Sequence, residues 1–181
     1  MNNNSKTIHD PNAAPTLAQS QRQIERYDLD VDAQAILVAA RLMAAGAKLA
    51  QASEIHFSKF GLSTGRYRLL ADLEDHGGEE LPSQLAEHLG VTRATVTGLI
   101  DTLARDGLVA RRASAEDGRQ RTVVLTESGA SKLREMAAEH FAWLESMVGL
   151  LAIEERSVFL ELLGRITQGI SGLANEREKQ S

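Results

Sequence analysis

The sequence predicts a mainly α fold with one small β-hairpin and long helices at both ends. Three observations support this. Apolar residues recur at helical spacing through most of the 181-residue chain. Two short helical segments, parted at Gly90, follow one another over residues 82–106. Directly after them, Val109–Arg112 and Arg121–Leu125 flank Asp117-Gly118, a turn signal between two β-prone runs.

The elements follow in order. Residues 1–28 are polar and include Pro11 and Pro15, which suits a flexible arm with a short helix near Leu17–Arg26. Asp30 is positioned to cap a long helix from Val31, with Asp32 in its first turn near the positive end of the dipole. Ile36, Ala39, Ala40, Met43, Ala47 and Ala50 carry the helical period towards Lys59, and Gly61 stops it. Ser63 caps a second helix, Thr64 to about Asp75, with Leu62 and Tyr67 at the positions of a hydrophobic staple. That helix turns Leu69, Leu70 and Leu73 inward and breaks at Gly77-Gly78.

Pro82 opens a third helix that buries Leu85, Ala86 and Leu89, although Leu81 is a poor cap. Thr92 caps a fourth, Arg93 to about Asp106, with Val96, Ile100 and Leu103 inward. After the hairpin, Thr126 caps a helix to about Leu150, striped by Leu133, Ala137, His140, Leu144 and Val148. A last helix spans roughly Glu154–Leu173.

Composition excludes several functions. There are no cysteines, which removes disulfides, Cys-ligated zinc and thiol sensing. The longest apolar runs are about six residues, such as Ala35–Ala40, so no membrane segment is expected and the protein reads as cytoplasmic. His56, His76, His88 and His140 look scattered, without a His-x-x-x-His pair, so neither a metal nor another cofactor is expected. Enzyme motifs are missing, and Glu79-Glu80 and Glu154-Glu155 read as solvated carboxylates beside turns or helix starts.

Two short helices and a tight turn at Gly90 make a helix-turn-helix, and the hairpin adds a wing. The second helix of such a pair enters the DNA major groove by its N-terminal end. Ser83, Thr92, Arg93, Thr95, Thr97 and Gly98 form the expected DNA face there. Arg93 is placed to read guanine or grip phosphate; the threonines suit bases, thymine methyls or phosphate. Gly98 permits close approach. Any exposed amphipathic helix would show similar residues, but the hairpin tips the balance. Residues 110–122 hold Arg111, Arg112, Arg119 and Arg121 against Glu116 and Asp117. Arg119 suits a narrow minor groove, oriented by Asp117. The formal net charge of −5 keeps one alternative open, a winged-helix protein-interaction module without specific DNA binding.

The outer helices offer more apolar stripe than one domain needs. Leu37, Leu42, Leu151, Phe159, Leu163 and Leu173 are therefore candidates for a homodimer interface. The expected division is a flexible arm (1–28), a dimerisation helix (29–61), a winged helix-turn-helix lobe (62–129), C-terminal dimerisation helices (130–174) and a disordered tail (175–181).

Several segments together resemble the MarR family of transcription regulators. They are the run Leu85 to Thr97, then Asp106-Gly107-Leu108-Val109, then Arg111-Arg112, Glu116-Asp117-Gly118-Arg119 and Val124-Leu125-Thr126-Glu127-Ser128-Gly129. The resemblance covers residues 31–172. It implies a homodimeric regulator, expected here to be a repressor, on double-stranded DNA with a palindromic operator, released by a small effector. It also implies a ligand crevice, for which His56, Phe57, Arg66, Tyr67, His140 and Trp143 are candidates, with Arg66 or a histidine facing an aromatic carboxylate. Gly98 and Thr102 stand where many members carry basic residues, which shifts weight to the wing.

Overall fold

The computed structural model describes residues 15–113 and 121–178. Among them are seven helices and three strands: α1 (Leu17–Tyr27), α2 (Ala33–Ser58), α3 (Thr64–Asp75), β1 (Glu79–Glu80), α4 (Pro82–Leu89), α5 (Arg93–Arg105), β2 (Val109–Ala113), β3 (Arg121–Leu125), α6 (Glu127–Met147) and α7 (Ile153–Glu178).

Helix α1 is set by a capping box. The Thr16 hydroxyl accepts from the Gln19 N–H at 3.3 Å, and Gln19 Oε1 accepts from the Thr16 N–H at 2.7 Å. The helix ends at Asp28 in the left-handed region and packs on α2. Asp32, not Asp30, caps α2. Its carboxylate accepts from the Gln34 N–H at 2.8 Å, so the long helix begins two residues later than the sequence suggests. The structure keeps Ser63, Thr92 and Thr126 as caps, each side chain accepting from the third helical N–H. Leu81 makes no side-chain cap. Instead Gln84 Oε1 accepts its N–H at 2.9 Å, and Pro82 has no N–H to satisfy.

The core lies where α3, α4 and α5 meet. Leu69, Leu70, Leu73, Leu85, Val96, Ile100 and Leu103 are fully buried, each side chain contributing about 1.5–3 kcal/mol by leaving water. Phe57 from α2 and Leu133 and Met136 from α6 close this core. Gly90, at φ 65°, makes the turn between α4 and α5 that a side chain would strain.

The sheet is antiparallel with strand order β1-β3-β2; Val109 pairs with Leu125, Arg111 with Val123 and Glu79 with Val124. Strand β1 has only two residues, both glutamates, and no β-propensity announces it. It covers the edge of β3 that β2 leaves open. Glu80 is only 6% exposed, which corrects the reading of Glu79-Glu80 as a solvated pair.

The outer helices run off the lobe. On α6, Leu133, Met136 and His140 are buried, but Leu144 and Val148 are exposed because the lobe ends before them. On α2, Met43 and Ile55 are exposed, as are Val158, Phe159 and Leu160 on α7. Helix α2 is long and apolar enough to cross a membrane by length and composition, with mean hydropathy 1.3 over its richest window. The six-residue limit on unbroken apolar runs understated this, because single polar residues punctuate a helix that is apolar on average.

Gly129 joins α6 to the wing. A Cβ there would stand 2.2 Å from the Leu108 carbonyl oxygen and 2.7 Å from Leu125 Cδ1. Gly129→Ala is therefore expected to destabilise the chain by about 1–3 kcal/mol, the usual scale for overpacking. Urea unfolding checks this; an unchanged midpoint would contradict the close approach.

Candidate nucleic-acid interface

Helix α5 presents its outer side because its inner side is committed to the core. With Val96, Ile100 and Leu103 buried, Arg93, Thr95, Thr97 and Gly98 fall on the exposed side. Ser83, the second residue of α4, is also exposed. The Arg93 guanidinium makes no hydrogen bond or ion pair among the described residues, so it is open to an anion. A Cβ on Gly98 would meet nothing within 4 Å, so the surface there is open.

The threonines lie on the expected face, with their hydroxyls engaged within the helix. The Thr92 and Thr95 hydroxyls bond each other at 2.9 Å within the cap, and the Thr97 hydroxyl donates to the Arg93 carbonyl at 2.9 Å. Their hydroxyls serve the helix first, and Thr102 does the same with Gly98.

The wing's charges are partly paired. Arg111 Nη2 bonds Asp101 of α5, tying the first wing strand to the helix beside it. Arg112 Nη1 lies 3.8 Å from Glu79 Oε2 on β1. Arg121 is exposed on β3 without an ion pair among the described residues. Asp117 and Arg119, the expected wing tip, lie outside the described residues.

Behind the lobe, five of the six ligand candidates converge. His56 stacks on Trp143 with ring centroids 4.2 Å apart, and Phe57 stacks on Tyr67 at 4.2 Å. His140 Nδ1 lies 3.2 Å from His56 Nε2, so one ring donates and the other accepts. His56 Nδ1 is buried and finds no partner among the described residues. Arg66 stands apart. Its guanidinium bonds Asp106 at 2.9 Å and the Gly61 carbonyl, tying the α2–α3 turn to the end of α5.

Burial lowers the pKa of both His56 and His140; for His56 the next cause is the Lys59 charge, for His140 it is His56. Burial, then Asp75 and Glu74, raises that of the Tyr67 phenol. The aromatic cluster is thus electrically neutral near pH 7.

The histidines are not scattered in space. His56 meets His140, and His76 stacks on His88 with centroids 4.5 Å apart. Sequence spacing leaves out Asp72, reads Glu80 as solvated and sets His76 and His88 apart, whereas the fold brings all four together. The spacing Asp72-x-x-x-His76 at the end of a helix was the one signal for them.

This arrangement, a helix pair with an exposed second helix beside a β-hairpin, defines a winged helix-turn-helix DNA-binding protein. The MarR family profile matches residues 62–120. The chain is 34% identical over 143 residues to the HTH-type transcriptional repressor YetL of Bacillus subtilis, covering 78% of this chain and 86% of YetL. A MarR family transcriptional regulator from Silicibacter pomeroyi superposes with a TM-score of 0.62 at 30% identity, over 73% of this chain and 88% of that one. Sco3205 from Streptomyces coelicolor, solved in complex with DNA, shares the fold with a TM-score of 0.71 at 22% identity, over 77% of this chain and 89% of that one. The chain belongs to the MarR family of DNA-binding transcription regulators, which are not enzymes.

The buried histidine pair gives a pH dependence. With folded pKa values depressed, the unfolded chain binds more protons at acid pH. The pair's stabilisation is complete above the unfolded value of about 6.5 and is lost as pH falls from there towards the lower folded values. The urea midpoint should fall between pH 7.5 and 5.5, and fall less in His140→Gln. Equal slopes in the two proteins would remove the pair as the cause.

Proposed function

We propose that this regulator is a homodimeric repressor that binds a palindromic operator and is released by a small aromatic ligand. The observation that carries the DNA half is the exposed face of α5, with Arg93 unpaired, Gly98 open and the wing alongside. Arg93 reads or anchors at the groove, Gly98 lets the backbone approach, and Arg121 with Arg119 supplies phosphate or minor-groove contact. A regulator that reads chromosomal DNA acts in the cytoplasm.

Dimerism is supported by the apolar surface of α2, α6 and α7, too extensive to stay in water. At the start of α7, an open cleft of about 380 Å³ lined by Leu151, Glu154, Glu155, Val158, Phe159 and Leu162 suits a helix from a second copy. That second copy, rather than lipid, would also cover α2. A two-fold pair presents its recognition helices about 34 Å apart, one turn of DNA.

Release by a ligand is supported by the ring cluster of His56, Phe57, Tyr67, His140 and Trp143. The Arg66 guanidinium is already held by Asp106, and His56 Nδ1 is a buried polar atom without a partner among the described residues. This chemistry favours a neutral phenol over a carboxylate. The ligand would part the two lobes from the spacing the operator requires.

A second reading, a winged-helix interaction module without specific DNA binding, is favoured by the Arg111–Asp101 and Arg112–Glu79 pairs. Selection of bound sequences from a random DNA pool separates the two. A palindrome with half-sites one turn apart is expected; a pool without enrichment supports the module instead. With the selected site in hand, Arg93→Ala should weaken binding more to that site than to random DNA. Arg119→Ala should cost at most a few kcal/mol at either. Sedimentation should give twice the chain mass. Because Trp143 is the sole tryptophan, its fluorescence should change on titration with a substituted phenol, together with loss of the DNA complex. An unchanged signal would remove the ring cluster as the ligand site.

A further inference from the structure

Asp72 and His76 lie one turn apart at the end of α3, so they share a helix face. Gly77 and Gly78, at φ 81° and 86°, reverse the chain there and bring Glu80 back over that face. His88, in the last turn of α4, reaches the same point. His88 Nδ1 lies 3.2 Å from Asp72 Oδ2 and 3.3 Å from Glu80 Oε1. His76 Nδ1 lies 3.7 Å from Asp72 Oδ1 and 3.9 Å from Glu80 Oε1. One ligand-type atom from each of the four residues falls within 4.8 Å of the others.

A second observation points to a cation. Glu80 is 94% buried, and its Oε2 is buried without a hydrogen-bond partner among the described residues. A buried carboxylate with an orphan oxygen, facing a second carboxylate, is costly unless it takes up a proton or positive charge compensates it. We propose that Asp72, His76, Glu80 and His88 bind a divalent transition-metal ion of the zinc type.

The geometry and donor set fit that ion. Four ligands about 2.0–2.2 Å from zinc stand roughly 3.3–3.6 Å apart at the corners of a tetrahedron, so donors now within 4.8 Å of one another would draw together by about 1 Å at the widest pair. Two imidazoles with two carboxylates select zinc, cobalt or nickel over magnesium or calcium, which prefer all-oxygen sites. His76 Nδ1 also lies 2.8 Å from the Asp72 carbonyl, a bond it exchanges for the ion.

The site has a structural consequence. It ties α3 to α4, the first helix of the DNA-reading pair, and to β1, which pairs with β3 of the wing. A bound ion would fix the helix pair relative to the wing without touching either DNA-facing surface. It is also separate from the His56–His140 rings.

The test uses the full chain, stripped with a chelator, dialysed and titrated with Zn2+ against a chromophoric chelator. One ion per chain is expected, with a rise in Tm on adding Zn2+ that Mg2+ does not reproduce. Co2+ should give the visible absorption of a tetrahedral site. H76Q/H88Q should lose all three signals. Both histidines are partly exposed, so the variant should fold, as circular dichroism will verify; H88Q alone serves if it does not. Zinc binding of equal strength in native and variant chains would overturn the site, since the ion would then sit on other histidines. Failure of the native chain to outbind the variant, or an equal rise in Tm with Mg2+, would overturn it too.

Discussion

Everything in the DNA-reading lobe depends on one layer of apolar contact, between the leucines of α3 and the inner stripes of α4 and α5. Leu69, Leu70 and Leu73 share one buried core with Leu85, Val96, Ile100 and Leu103. That contact fixes the rotation of α5 about its own axis. Once Val96 and Ile100 face inward, Arg93 and Gly98 face out; a rotation of α5 would bury a guanidinium and expose a valine. The exposed reading face follows from the buried one.

The wing is anchored by the same layer rather than by its own strands. Val109 and Val123 enter the core, Thr126 ties to the Gly107 carbonyl, and Gly129 lets α6 press against Leu108. A two-stranded hairpin is marginal in water. Here the third strand and the core beneath make the sheet hold its shape.

Much of this was legible in the sequence. Ser63, Thr92 and Thr126 are recognisable because a cap is a local event, settled by one hydroxyl and one N–H. The inward leucines are recognisable because helical spacing repeats several times. Asp32 was mistaken for a first-turn residue because two aspartates stand two apart and either can cap; tertiary packing of α1 on α2 is absent from local spacing. Strand β1 was invisible because its pairing is imposed by a distant partner, β3. The His76–His88 contact was invisible for the same reason, since it joins two helices across the Gly77-Gly78 reversal. On the candidate DNA face, Arg93 and Gly98 are exposed where helical periodicity put them. Periodicity could not show that the Thr97 hydroxyl and the Arg111 guanidinium already have partners.

The Arg111–Asp101 pair carries a consequence for how such a protein moves over DNA. Each cation that meets a phosphate releases a counterion, and that release drives binding to any sequence alike. An arginine already matched by an aspartate releases little. On the proposed DNA face, that pair would hold back part of the indiscriminate attraction and leave proportionately more of the affinity to depend on which bases are met. Weak adhesion to the bulk of the chromosome would then follow from an acid placed inside a basic patch.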